Sequence, residues 1–144
     1  MSRKKLPLDV LLRRANAVAV HAAEQVALGD AVDVSALGGE EARGTRMQNA
    51  AGKAWVAARM SAQAVLECKT GSRPVGTNAL RDALRALALK DRTVILLNEG
   101  FRDAFEDLHL RCGDDGVCSA DTVRRRVRAI TGEVVPAANR LCRR

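Results

Sequence analysis

Tyrosine is absent from this 144-residue chain, and Trp55, Phe101 and Phe105 are its only aromatic residues. Sheets draw on aromatic and β-branched side chains, whereas the alanine, leucine, arginine and glutamate abundant here favour helix. The composition argues against a β-rich fold before any pattern is read. No apolar run approaches the roughly 20 residues that a membrane span requires. Residues 1–12 are basic but hold neither a long apolar segment nor a small-residue cleavage site, so no export signal is read there. A soluble protein with a cytoplasmic location is the resulting expectation, with no membrane partner.

Cysteine is sparse and unpatterned. Cys68, Cys112, Cys118 and Cys142 form no C-x-x-C pair. Cys112 and Cys118 flank a glycine-rich loop and can approach each other. In a reducing compartment free thiols are expected, and any disulfide should be dispensable. A zinc site would need further ligands that this spacing does not supply. No metal site and no cofactor are expected.

What the chain does have is alanine and arginine. Apolar residues make up 47% of it, enough for a core, and its length suits one domain over residues 1–144. Much of the apolar fraction is alanine, which lets helices approach closely but buries little area per residue. The formal charge is +7, with Arg124, Arg125, Arg126 and Arg128 crowded together. Such a balance permits attraction to RNA, DNA or acidic protein surfaces without requiring it. Arg124, Arg125 and Arg128 are the candidate RNA-phosphate contacts. Without interleaved aromatics they do not form a base-stacking platform.

Apolar spacings of three and four recur along the chain. Pro7 suits the first turn of a helix, and Leu8, Leu11, Ala15, Val18, Ala22 and Gln25 then follow as a stripe that ends at Gly29 and Asp30. After a loop broken by Gly38 and Gly39, a second helix begins near Glu40 and runs through Met47, Ala51, Ala54, Ala58, Ala62 and Val65 to Gly71 and Pro74. Trp55 sits at the edge of that stripe. A third helix is predicted over residues 77–89, with Leu80, Ala83, Leu84 and Leu87 inward. A fourth carries Val94, Leu97, Phe101, Phe105 and Leu108, with Gly100 weakening it by about 1 kcal/mol relative to alanine. The last begins after Ser119, and Pro136 should kink or end it. The expected fold is all-α, a single-domain up-and-down bundle of four to five helices.

Only His21 and His109 are available for proton transfer near neutral pH. Arg102 and His109 lie seven residues apart, so an α-helix would place them on one face two turns apart, with Glu106 between them. Histidine moves protons between oxygens in the required range. The arginine fork stabilises a phosphate as negative charge develops. Glu106, Asp107 and the nearby helix C-terminus favour an imidazolium at His109, able to act as general acid. The competing reading is an Arg102–Glu106 ion pair on a solvated helix, with His109 merely flanking the core. His21 has Arg14 at the same upstream distance, but Ala15, not a polar residue, follows that arginine.

The segment Phe101-Arg102-Asp103-Ala104-Phe105-Glu106-Asp107-Leu108-His109 resembles the HEPN domain family. The motif of that family is an arginine and a histidine separated by four to six residues, with Asn, Asp or His after the arginine. Here six residues separate Arg102 from His109, and Asp103 takes the polar position. Gly113-Asp114-Asp115-Gly116, the final amphipathic helix and Lys53-Ala54-Trp55-Val56-Ala57-Ala58 upstream are similar to HEPN branches known mostly as uncharacterised microbial proteins. The resemblance covers most of the chain. It implies a homodimer with a composite site and metal-independent RNA cleavage by Arg102, Glu106 and His109, as in toxin–antitoxin or defence components. It also implies a possible partner protein such as an antitoxin. Toxin members silenced by a nucleotidyltransferase often carry a tyrosine two residues after the histidine. Arg111 stands there, which puts that control in doubt. A non-catalytic HEPN-like module binding a partner protein or nucleotide, and a helical interaction domain without nucleic acid, are the alternatives.

Overall fold

A computed structural model describes residues 5–114, 116 and 118–143. Helix α1 spans Leu8–Asp30, α2 Gly39–Thr70 and α3 Thr77–Lys90. A 3₁₀ turn over Arg92–Val94 leads into α4, Ile95–Ala104, which continues in π winding through Phe105–Asp114. The last rod is α5, Ala120–Ala129, a π segment at Ile130–Val134, and α6, Val135–Leu141. No strand occurs among the described residues, and the chain is an all-α helical bundle. Among the described residues no helix is long and apolar enough to cross a membrane.

Contacts at the two ends set the topology. Arg124, at the start of α5, bonds Asp30 at the end of α1. Cys142, just past α6, meets Cys68 near the end of α2. The rods α1, α2, α4 and α5–α6 therefore run down, up, down and up. Helix α3 lies outside this quartet against α2 and α4. Gln63 donates to the Pro74 carbonyl before α3 begins, and Lys69 pairs with Asp91 where α3 ends, at 3.5 and 3.3 Å. Helix α3 thus runs in the same direction as α2.

Most of the expected stripe positions join one contiguous core. Helix α1 turns Leu11, Ala15, Ala19, Ala22 and Val26 inward. Helix α2 answers with alanines at 50, 51, 54, 57, 58, 62 and 64. The small side chains bring α1 and α2 close together, while Phe101, Leu97, Leu108, Val123 and Ile130 supply the bulk from α4 and α5. Gly71 ends α2 at φ 78°, a left-handed cap that suits glycine. Gly100 is more than a weak helix former: a Cβ there would collide with Val134 Cγ2 from the last rod, so the glycine permits the close approach of the two helices.

Pro136 neither breaks nor ends its helix. Proline lacks an N–H and clashes with the carbonyl four residues before it, here that of Gly132. The chain answers by widening into π winding over Ile130–Val134 just ahead of it. The rod then resumes as α6 with the proline in its first turn.

The four cysteines are paired, against the expectation of free thiols. Cys68 and Cys142 have Cα atoms 5.6 Å apart, and Cys112 and Cys118 4.5 Å apart. Spacing could suggest the short pair. The long pair depends on topology, which brings the ends of α2 and α6 together. By the chain-entropy argument a cross-link closing 74 residues contributes about 4 kcal/mol. The Cys68→Ser/Cys142→Ser variant is therefore expected to unfold at distinctly lower urea concentration than the oxidised protein. An unchanged midpoint would make the bridge dispensable.

Candidate functional site

The three aromatic residues form one cluster, and His109 packs on two of them. Its ring stacks on Trp55 with centroids 4.8 Å apart and planes 19° from parallel, and it meets Phe105 at 5.7 Å. Trp55 also touches Phe101 at 5.3 Å and Phe105 at 5.8 Å. Trp55 comes from the middle of α2 and the others from α4 and its π continuation, so packing of these two rods holds the imidazole. His109 is half-buried.

Arg102 lies elsewhere on the helix. It is exposed and lines a groove of about 470 Å³ between α3 and α4, with Arg81, Arg85, Asn98, Glu99 and Leu89. His109 and Glu106 do not line it. The reason is the winding. An i→i+5 ladder takes more residues per turn than an α-helix, so side chains beyond Phe105 lag behind the α-helical register. Four residues of such winding turn His109 further round from Arg102 than a regular α-helix would. Glu106 is exposed. Its ion pair with Arg102, expected on a regular helix, is not made among the described residues.

Arg81 reaches the histidine cluster through Phe105. Its guanidinium sits over the Phe105 ring, 5.1 Å from the centroid, in cation–π geometry. Arg81, Arg85 and Arg102 form no ion pair within 4.0 Å among the described residues, although Asp82 and Glu99 line the same groove. Sequence reasoning missed Arg81 and Arg85. Their signal was present, since two arginines four apart on the polar side of Leu80 and Leu84 must share one face.

Asp103, the polar residue of the motif, is held by Arg126. The Arg126 guanidinium donates to Asp107 at 2.6 Å and to Asp103 at 3.2 Å. Asp107 keeps only 12% side-chain exposure. The acidic face of α4 is thereby bound to α5, and Asp107 faces arginine rather than His109.

The arginine cluster divides the same way. Arg124 is engaged by Asp30 at 3.1 and 2.5 Å and by Asp121 at 2.7 Å. Arg125 and Arg128 are exposed and make no ion pair among the described residues. With Arg124 and Glu133 they line a shallow hollow of about 510 Å³. His21 is exposed on α1 beside Glu24, with 3.3 Å between Nδ1 and Oε2. No group of three or more metal-ligating side chains gathers among the described residues.

Hydrogen bonds from Arg124 hold the Asp30 carboxyl below its usual range, with Arg128 and Arg43 adding attraction against a small burial penalty. A carboxyl depressed in the folded state contributes stability above its unfolded pKa of about 3.9 and loses it as pH falls through the folded value. Acid titration of the melting temperature is therefore expected to be shallower below about pH 4 in Asp30→Asn than in the parent. Parallel curves would show that the pair contributes nothing, as exposed pairs often do.

Compared with protein-family models, with curated proteins and with solved structures, the chain matches none.

Proposed function

We propose that this chain is a HEPN-like, metal-independent ribonuclease of a toxin–antitoxin or defence system, acting as a homodimer. The observation that carries the reading is one aromatic cluster with an imidazole and a guanidinium on it: His109 and Arg81 both rest on Phe105. Arg102 shares the groove of Arg81. His109 does not line the groove that Arg102 lines, and in this reading a second copy supplies the arginine that faces each histidine.

The chemistry is internal transesterification. The RNA 2′-oxygen attacks phosphorus, the 2′-hydroxyl proton passes to a base, and the bond to the 5′-oxygen breaks. Protonated His109 donates to that leaving oxygen. Arg102 neutralises the developing charge on the phosphoryl oxygens. Glu106, three residues before His109, completes the proposed set. Arg125 and Arg128, with Arg124 beside them, hold the flanking phosphates. The expected activity cuts RNA in chelator, leaves cyclic phosphate ends and spares DNA, which lacks the 2′-hydroxyl.

Binding supplies a separate check. Two phosphate contacts on a single strand release counterions with a log–log salt slope of about −1.4. Affinity should fall about sevenfold from roughly 50 to 200 mM salt. Arg125→Ala/Arg128→Ala should flatten the slope by that amount, and an already flat parent curve would remove the electrostatic mode.

A second reading, a non-catalytic HEPN-like module that binds a partner protein or nucleotide, is favoured by Asp103. The residue that completes the motif is bound to Arg126 as a helix-to-helix link. Absence of cleavage across structured and unstructured RNAs would favour this reading.

A further inference from the structure

Two exposed corners of the bundle complement each other. Near the α3–α4 turn, Leu89, Leu96 and Ile95 are 84%, 70% and 40% exposed. Leu89 and Ile95 line the groove that holds the unpaired Arg81, Arg85 and Arg102. At the other corner the α1–α2 loop carries Leu37 at 106% exposure and Val34 at 39%. Residues 30–41 hold four carboxylates and no cation. Asp30 is bound to Arg124 and Asp33 to Ser35. Glu40 and Glu41 are exposed and unpaired among the described residues.

The two corners of one molecule cannot meet. The loop precedes the start of α2, whereas Lys69–Asp91 places the α3–α4 turn at its far end. The 32 residues of α2 span about 48 Å. An occupant of the groove must present aliphatic and anionic groups together. RNA lacks the aliphatic part, and the loop of another copy has both.

We propose that the α1–α2 loop of one copy docks in the α3–α4 groove of a second copy. Leu37 lies against Leu89 and Ile95, and Glu40 and Glu41 face Arg81 and Arg85. Antiparallel copies make the contact twice, and copies in head-to-tail order make it once each. The contact involves neither His109 nor Glu106, but it fills the groove that also holds Arg102, so a docked loop and RNA at Arg102 exclude one another. It is small, so association on the order of 100 µM is expected.

The test is analytical ultracentrifugation of the full chain from about 10 µM to about 1 mM. Three variants accompany it: Leu37→Asp, Glu40→Lys/Glu41→Lys and Arg81→Glu/Arg85→Glu, each checked for helical content by circular dichroism. Every variant alone should weaken association by about tenfold or more. Mixing the two charge-reversed variants should restore it, because each then offers the other a complementary corner. Three results would overturn the contact: a constant mass across the range, association that survives both charge reversals, or folded reversed variants that fail to recover on mixing. A groove reversal that alters RNA binding while leaving mass unchanged would assign the groove to nucleic acid instead.

Discussion

His109→Ala is expected to lower RNA cleavage in chelator by about 10²- to 10⁴-fold while helical content is kept. The ring is half-buried among Trp55 and Phe105, so near-ultraviolet circular dichroism must show that the aromatic cluster survives. His109→Gln retains more of the stacked surface and should be equally inactive. Arg102→Ala should cost about 10²- to 10³-fold through loss of a fixed cation at the phosphate. If Arg102 and His109 act across a dimer, mixing the two inactive variants restores one intact site in each heterodimer and part of the activity. Lack of recovery from folded, exchanging dimers would place both residues in one protomer's site or remove Arg102 from it. His21→Ala is the control, since His21 is exposed on α1 and bound only to a neighbouring glutamate. Full activity in folded His109→Ala would remove the motif from the mechanism.

Trp55→Ala is expected to destabilise the protein by about 3–5 kcal/mol, the usual cost of deleting a large buried aromatic ring. Trp55 is 5% exposed and touches Phe101, Phe105 and His109. Ala51, Ala54 and Ala58 beside it on α2 are too short to reach into the space it leaves. Urea unfolding reads the loss. Trp55→Phe should recover much of it, because one ring then still separates α2 from α4. A loss below about 1 kcal/mol in Trp55→Ala would show that the cluster collapses to fill the cavity.

The pattern of threes and fours located every long helix because burial of an apolar stripe is what makes those segments helical. Leu11, Ala15 and Ala22 on α1 and Leu80 and Leu84 on α3 were legible in this way. The π segments were not. Their spacing differs from the α pattern by a fraction of a residue per turn, and the cause lies in Pro136 in one case only. The altered register at Phe105–Asp114 is why a regular-helix spacing for Arg102 and His109 could be argued from sequence, while the π winding between them could not. Arg126 was legible as a charge and not as a clamp, because its partners Asp103 and Asp107 lie 23 and 19 residues away. Trp55 was placed at the edge of its stripe, where it meets rings from α4 that no local spacing reveals.

The alanine seam between α1 and α2 also bears on how stability responds to temperature. Alanine gives up no rotamer freedom on burial, so ordering this seam costs less entropy than ordering a leucine seam. It also hides less hydrocarbon from water, and exposure of hydrocarbon is what raises the heat capacity on unfolding. A small heat-capacity increment flattens the dome of stability against temperature. This hairpin therefore favours a fold whose stability changes slowly between cold and warm, in place of one with a high, narrow optimum.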